Sequence, residues 1–357
     1  FASVFVSGHF SKNMSLVVWN ETDGGNTSLC TNIDNELNAY YVPAVYGSTF
    51  VIGVVLNSVA VVVYLFALKE WNRSNIFLFN LLLADLLYLF NLPFLVSYYK
   101  NRGIWYFGNF YCKLMRYLFH ANLYTSILFL GCVSMDRYLL IAHPIKSAQI
   151  FKKWHAVLIC LIVWVIVTLE LLPMFFLITT ENLTNSTDLK CLDYASSGNV
   201  HATFIFSMAL TFTGLLLPFG ILVFSYILVI RVLKDMQQRF QNADKVGKPL
   251  TLILFAMVLF SISLLPYHVM RNVRIGARML FDQNSCPLII CRSLYNITRP
   301  LSSLNSCLNP VFYFLVGDSF RDKLLSWFKI KTNHKQNSES TTSGSVLNLS
   351  QQGETSC

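Results

Sequence analysis

Seven runs of about 20 apolar residues, each long enough to cross the hydrocarbon core of a bilayer as a helix, constrain this chain more than any other feature. They fall near 43–68, 76–99, 109–141, 154–177, 201–233, 249–275 and 289–316, numbered here helix one to helix seven. In lipid a segment must satisfy its own backbone hydrogen bonds, which a helix does. Of the 357 residues 54% are hydrophobic and 13% charged, whereas an ordinary soluble domain carries about 25% charged residues. The fold class is therefore all-α, a seven-transmembrane helix bundle.

An odd number of spans puts the two termini on opposite sides. Sixteen of the 27 Lys and Arg residues fall in the tail and the loops on its side, the sign expected of the cytoplasm. This reading places the N-terminus outside the cell and the tail inside, in a multi-pass protein of the plasma membrane. Residues 1–42 are then an extracellular segment, of which 1–13 precede Met14 and are given no fold, and 43–316 are the transmembrane domain. Four Asn-X-Ser/Thr tripeptides, at Asn20, Asn26, Asn182 and Asn185, lie outside as glycosylation candidates. Cys112, atop helix three, and Cys191, in the second outer loop, meet an oxidising compartment that permits a bridge. Cys30 and Cys286 can tie the N-terminal segment to the loop before helix seven. Residues 317–330 carry Phe320, Leu324, Leu325, Trp327 and Phe328 among charges, an amphipathic eighth helix along the inner membrane surface. The tail, 331–357, is too polar to bury a core and reads as disordered. Its Ser338–Ser343 hydroxyl cluster is a phosphorylation candidate that would attract a cationic partner such as arrestin.

Polar groups inside membrane helices are costly, so each is a functional hypothesis. Asn57, Asp85, Asp136-Arg137-Tyr138, Trp164 and Asn309-Pro310-Val311-Phe312-Tyr313 lie on different helices, joined by Pro218, Tyr226, Phe260 and Pro266. This ordered set resembles the rhodopsin-like (class A) G-protein-coupled receptors over roughly 40–330. The resemblance implies that Asp85, Ser126, Asn305 and Asn309 surround a sodium ion at rest, an allosteric modulator rather than a cofactor of chemistry. It also implies that Asp136 holds Arg137 until helix six moves outward to admit a heterotrimeric G protein, with Asn309, Pro310 and Tyr313 relaying the change. Two positions depart from the pattern: Val246 stands where many relatives place an acidic residue, and Leu264 where most carry an aromatic toggle.

Arginines gather at the outer ends. Arg116 and His120 are four apart on helix three, with Tyr124 four further, so they share a face. Arg271 follows His268 by three on helix six, and Arg299 follows Tyr295 by four on helix seven. Like charges converging in a low-dielectric cavity repel unless an anion sits among them, and guanidinium groups match carboxylates and phosphates. Arg274, Arg278 and Arg292 lie higher and read as facing lipid headgroups or pairing with Asp193 and Glu181 of the second outer loop. The stretches His120–Leu130, Val167–Pro173, Tyr194–Gly198, Pro266–Ile275 and Thr298–Leu301 resemble the receptor branch that takes succinate, 2-oxoglutarate and purinergic nucleotides. That resemblance implies a succinate-like dicarboxylate held by Arg116, His120, Arg271 and Arg299 and closed in by Tyr46 and Tyr99. It ranks 2-oxoglutarate next and nucleotides third, and implies an inhibitory G protein as principal partner, with the phospholipase-coupled one second. An organic-anion transporter is the alternative of another class, disfavoured because no internal repeat is visible. No catalytic motif or metal-ligand cluster points to an enzyme, and nothing points to nucleic acid.

Overall fold

The computed structural model describes residues 24–68, 71–178, 180–182, 189–239, 247–316 and 320. The amphipathic stretch 317–330 (apart from Phe320), the tail, Asn20, Asn185 and Val246 lie outside the described residues.

Helix one runs from Gly24 through four consecutive segments to Ala67, helix two is Arg73–Leu89 continued by Leu92–Lys100, and helix three is Gly108–Ala142. Helix four is Lys153–Leu171 with a last turn Met174–Leu177, helix five spans Val200–Thr211, Phe212–Leu216 and Leu217–Arg239, and helix six is Gly247–Leu280. Helix seven is Cys286–Ser303 continued by Asn305–Val316. Among the described residues five of these are long and apolar enough to cross a membrane, and helices six and seven pack into the same bundle. A short hairpin pairs Thr180–Asn182 with Leu189–Cys191 between helices four and five.

Two departures from regular helix lie beside prolines. Pro93 follows the break after Leu89 in helix two and cannot donate a backbone hydrogen bond. A π turn at Phe212–Leu216 precedes Pro218 and accommodates its missing donor. Hydropathy places the start of helix one at 43, yet the helix begins at Gly24. Its outer part is polar, and it is held by the Cys30–Cys286 disulfide, by Asp34 paired with Arg292 at 3.0 Å, and by Ser293 donating to Asp34 at 2.9 Å.

The bundle is apolar outward and polar inward, the reverse of a soluble protein. Leu65, Phe66, Val165, Leu169, Phe212 and Ile262 are exposed, while Asn57, Asp85, His120, Asn122, Arg271 and Asn309 are buried. Only a hydrocarbon surround stabilises that arrangement. Inside it, polar side chains join the helices: Asn57 donates to the Ser306 carbonyl at 2.9 Å, and the Trp164 indole donates to Asn80 at 3.1 Å.

Candidate ligand-binding site

The Cys112–Cys191 disulfide ties the hairpin to the top of helix three. It thereby lowers Asp193, two residues on, into the bundle among the arginines. Arg116, Arg271 and Arg299, from helices three, six and seven, are 4%, 0% and 3% exposed, and His120 is fully buried beside them.

Neutral partners help to fix each guanidinium. Arg116 donates to the Cys191 carbonyl at 3.0 Å. Arg271 donates to the Tyr124 hydroxyl at 3.0 Å and to Thr211 at 2.8 Å, with its charge over the Tyr267 ring. Arg299 donates to the hydroxyls of Tyr46 and Tyr99, so both tyrosines expected to close the pocket meet on one guanidinium. His120 bonds the Arg116 carbonyl at 2.8 Å through Nδ1 and Tyr267 at 2.9 Å through Nε2. All six residues anticipated from the sequence thus converge in one region.

Asp193 completes the cluster. Its carboxylate lies 3.6 Å from Arg299 and accepts from the Tyr295 hydroxyl. Burial by itself would push this carboxyl up, but Arg116, His120, the Tyr295 hydroxyl and Arg274 together hold it below its usual range. Asp193 is therefore ionised at neutral pH. Several polar atoms of the cluster are buried without a hydrogen-bond partner among the described residues: Arg116 Nε, Arg271 Nε, Asp193 Oδ1 and both ring nitrogens of His268. Buried donors left unmade are costly, and here they gather at one place.

Arg274, Arg278 and Arg292 require a correction, because they do not turn out toward headgroups. Arg274 is buried and donates to Ser196 at 2.6 Å, Arg278 donates to the Ala195 carbonyl at 3.0 Å, and Arg292 pairs with Asp34. With Ser196, Gln283, Leu288 and Ile289 they line a small outer cleft of about 50 Å³. The distant partners Asp34 and Ser196 turn them inward, and sequence spacing carries no trace of either.

Deeper in the bundle, Asp85 accepts from Asn122 at 2.9 Å, from Asn309 at 2.9 and 3.0 Å, and from Tyr313 at 3.1 Å. Asn122 and Tyr313 were not anticipated as Asp85 partners. Ser126 sits 3.4 Å from the Asn309 amide. The Asn309 amide oxygen and both polar atoms of Asn305 are buried with no partner among the described residues. Spare amide oxygens near a buried carboxylate are the donor set a hard monovalent cation takes, so the residues fit sodium. At the opposite end of helix three, Asp136 pairs with Arg73 at 3.0 Å and accepts from Ser74 at 2.7 Å, two partners that helical spacing does not suggest. Arg73 also donates to the Ser147 and Phe151 carbonyls, binding the connection between helices three and four to the start of helix two.

Seven packed helices around a polar core, with a disulfide-anchored hairpin over an arginine cluster, describe a membrane receptor. The model of the 7 transmembrane receptor (rhodopsin family) matches residues 56–313, and the chain belongs to that family. It is a G-protein-coupled receptor of the rhodopsin class, not an enzyme, and the transporter alternative falls with that assignment. The chain is 45% identical to succinate receptor 1 of Rattus norvegicus over 85% of its own length and 96% of the relative's. It is 44% identical to succinate receptor 1 of Mus musculus over 82% and 92%. Against a purinoceptor of Homo sapiens identity is 37%, over 92% and 89%.

Proposed function

We propose that this chain is a cell-surface receptor for a small dianion, a succinate-like dicarboxylate, with its disulfide end outside and its tail in the cytoplasm. The charge balance of the buried cluster carries the reading. Arg116, Arg271 and Arg299 bring three positive charges, and Asp193 returns one negative charge. Even with Arg274 left aside, which is buried above them and also faces Asp193, two positive charges remain, and a dicarboxylate neutralises both. Similarity to two succinate receptors supports the same chemistry. By charge alone 2-oxoglutarate satisfies the count equally. The purinoceptor relatives and the arginine-lined outer cleft favour a nucleotide as the further reading.

On this account the ligand competes with Asp193 for Arg299 and draws the outer ends of helices three, six and seven together. Agonist stabilises the active form only by its differential affinity for it. Helix six then opens beside Arg137 for a G protein, in our reading the inhibitory type, and phosphorylation of the tail recruits arrestin. The test is G-protein activation in cells expressing the chain from Met14, challenged with succinate, 2-oxoglutarate and ADP. A succinate response supports the assignment, and silence to succinate with verified surface expression sinks it.

Asp193 gives a sharper expectation. Asp193→Asn keeps a partner for Tyr295 and removes the competing charge. Succinate potency should rise on the order of tenfold, the scale of one charge-assisted hydrogen bond released. A fall in potency would instead make Asp193 a part of the ligand cradle.

We also propose that sodium binds at Asp85, Ser126, Asn305 and Asn309 and stabilises the resting form. Replacing sodium by a bulky organic cation should raise agonist affinity in the wild type and leave Asp85→Asn unchanged. Equal sodium sensitivity in the two proteins would contradict the site.

A further inference from the structure

Arg73 sits where a cation is out of place. It is the first residue of helix two, directly after the N-cap Asn72, whose side chain accepts from the Asn75 amide at 2.7 Å. The positive end of the helix macrodipole lies there, so an arginine weakens helix two rather than supporting it. All three guanidinium nitrogens are engaged elsewhere. Nε lies 3.0 Å from Asp136 of helix three, Nη1 donates to the Ser147 and Phe151 carbonyls at 3.1 and 2.9 Å, and Nη2 donates to the Ser147 hydroxyl at 2.9 Å.

These contacts converge on the C-terminal end of a short helix, Pro144–Ile150, in the connection between helices three and four. That end carries the negative pole of the dipole and carbonyls short of donors, so a cation is favourable there. A helix of 7 residues does not hold its form in water without tethers. This one leaves Ile145 and Ile150 73% and 59% exposed, while Ser147, which Arg73 grips, is turned in and 2% exposed. Asp136 balances the Arg73 charge and is steadied through its other oxygen by Ser74 at 2.7 Å. One side chain therefore joins helix two, the inner end of helix three and the loop helix. Because the loop helix hangs on Asp136 through Arg73, a shift of that end of helix three is carried directly to the exposed isoleucines.

We propose that Arg73 is a positioning residue for G-protein activation: anchored on Asp136, it holds the helix Pro144–Ile150 in the form and place from which Ile145 and Ile150 meet the G protein. The guanidinium is essential to this role. A lysine presents its donors from one nitrogen and cannot span a carboxylate on one helix and two carbonyls on another. The role lies at the opposite end of helix three from the arginine cluster and holds whichever anion that cluster takes.

The first arm of the test is amide hydrogen exchange on the full chain in nanodiscs without ligand. The Ser147 amide donates to the His143 carbonyl at 2.8 Å and the Phe151 amide to the Ser147 carbonyl at 3.1 Å, so these two protons report the loop helix. Arg73→Ala should speed their exchange by at least about tenfold, the scale of one charge-assisted hydrogen bond, and Arg73→Lys should resemble it. Arg73→Gln, which keeps a donor but no charge, carries the same test should the alanine variant fail to fold. The second arm is succinate-evoked nucleotide exchange on an inhibitory heterotrimer. Its maximal rate should fall by about fivefold in Arg73→Ala, the effect of one hydrogen bond, while succinate affinity measured without G protein stays at the wild-type value. Silence of the wild type to succinate would sink the ligand assignment instead, and ligand-free nucleotide exchange then takes the place of the evoked signal. Wild-type amide exchange at Ser147 and Phe151 in the alanine and glutamine variants would overturn the proposal. Faster amide exchange with an unchanged maximal rate of G-protein activation would overturn it as well.

Discussion

Arg299→Ala is expected to shift the succinate concentration–response curve by at least about 30-fold, and to abolish the response at the upper end of the range. Removing one partner of a buried, hydrogen-bonded charge pair costs about 2–5 kcal/mol. Arg299 is the point where several parts of the site meet: it binds Tyr46 and Tyr99 and faces Asp193 at 3.6 Å. Its loss leaves the Asp193 carboxylate buried with one cation fewer and removes a ligand donor at the same time. Arg271→Ala should act as strongly by another route, because it empties the space between Tyr124, Thr211 and Tyr267. Arg299→Lys should rescue little, since an ammonium cannot keep the guanidinium's divergent bonds to two hydroxyls and still serve a carboxylate. Concentration–response curves at matched surface expression read all three, and a wild-type response in Arg299→Ala would remove this residue from the ligand site.

Cys191→Ser is expected to have the second large effect, a loss of saturable succinate binding in the receptor that still reaches the surface. Breaking a native disulfide of this kind costs about 2–5 kcal/mol of stability. The consequence here is mainly local. The bridge to Cys112 fixes the Cys191 carbonyl that receives Arg116 at 3.0 Å, and it fixes the position of Asp193. Cys112→Ser should reproduce the defect. Preserved binding in both variants would show that the hairpin reaches the arginines without its tether.

The contrast between Arg116 and Asp193 marks where sequence reasoning reaches and where it stops. Helical spacing puts Arg116 and His120 on one face, and a buried cation at membrane depth is conspicuous, so the positive half of the site is legible. The negative half lies on a loop, where no periodicity applies. Its signal was nonetheless present, because a residue two places from a bridged cysteine is carried wherever the bridge goes. The polar outer part of helix one was hidden for a related reason: hydropathy registers lipid-facing helices, whereas residues 24–41 are held by Cys30, Asp34 and contacts to helix seven. Arg73 shows the same limit at the other end. Its pairing with Asp136 joins residues from different helices, and nothing local in the chain announces it.

Direct binding of succinate and succinamate to the purified receptor in nanodiscs tests the central claim, that two uncompensated positive charges select a dianion. The two ligands share size and shape, and differ in that an amide replaces one carboxylate. The account predicts that succinamate binds at least about 30-fold more weakly, the penalty for leaving a buried charge unpaired. Equal affinity for the two would contradict the charge balance at the site, and with it the assignment of a dicarboxylate as ligand.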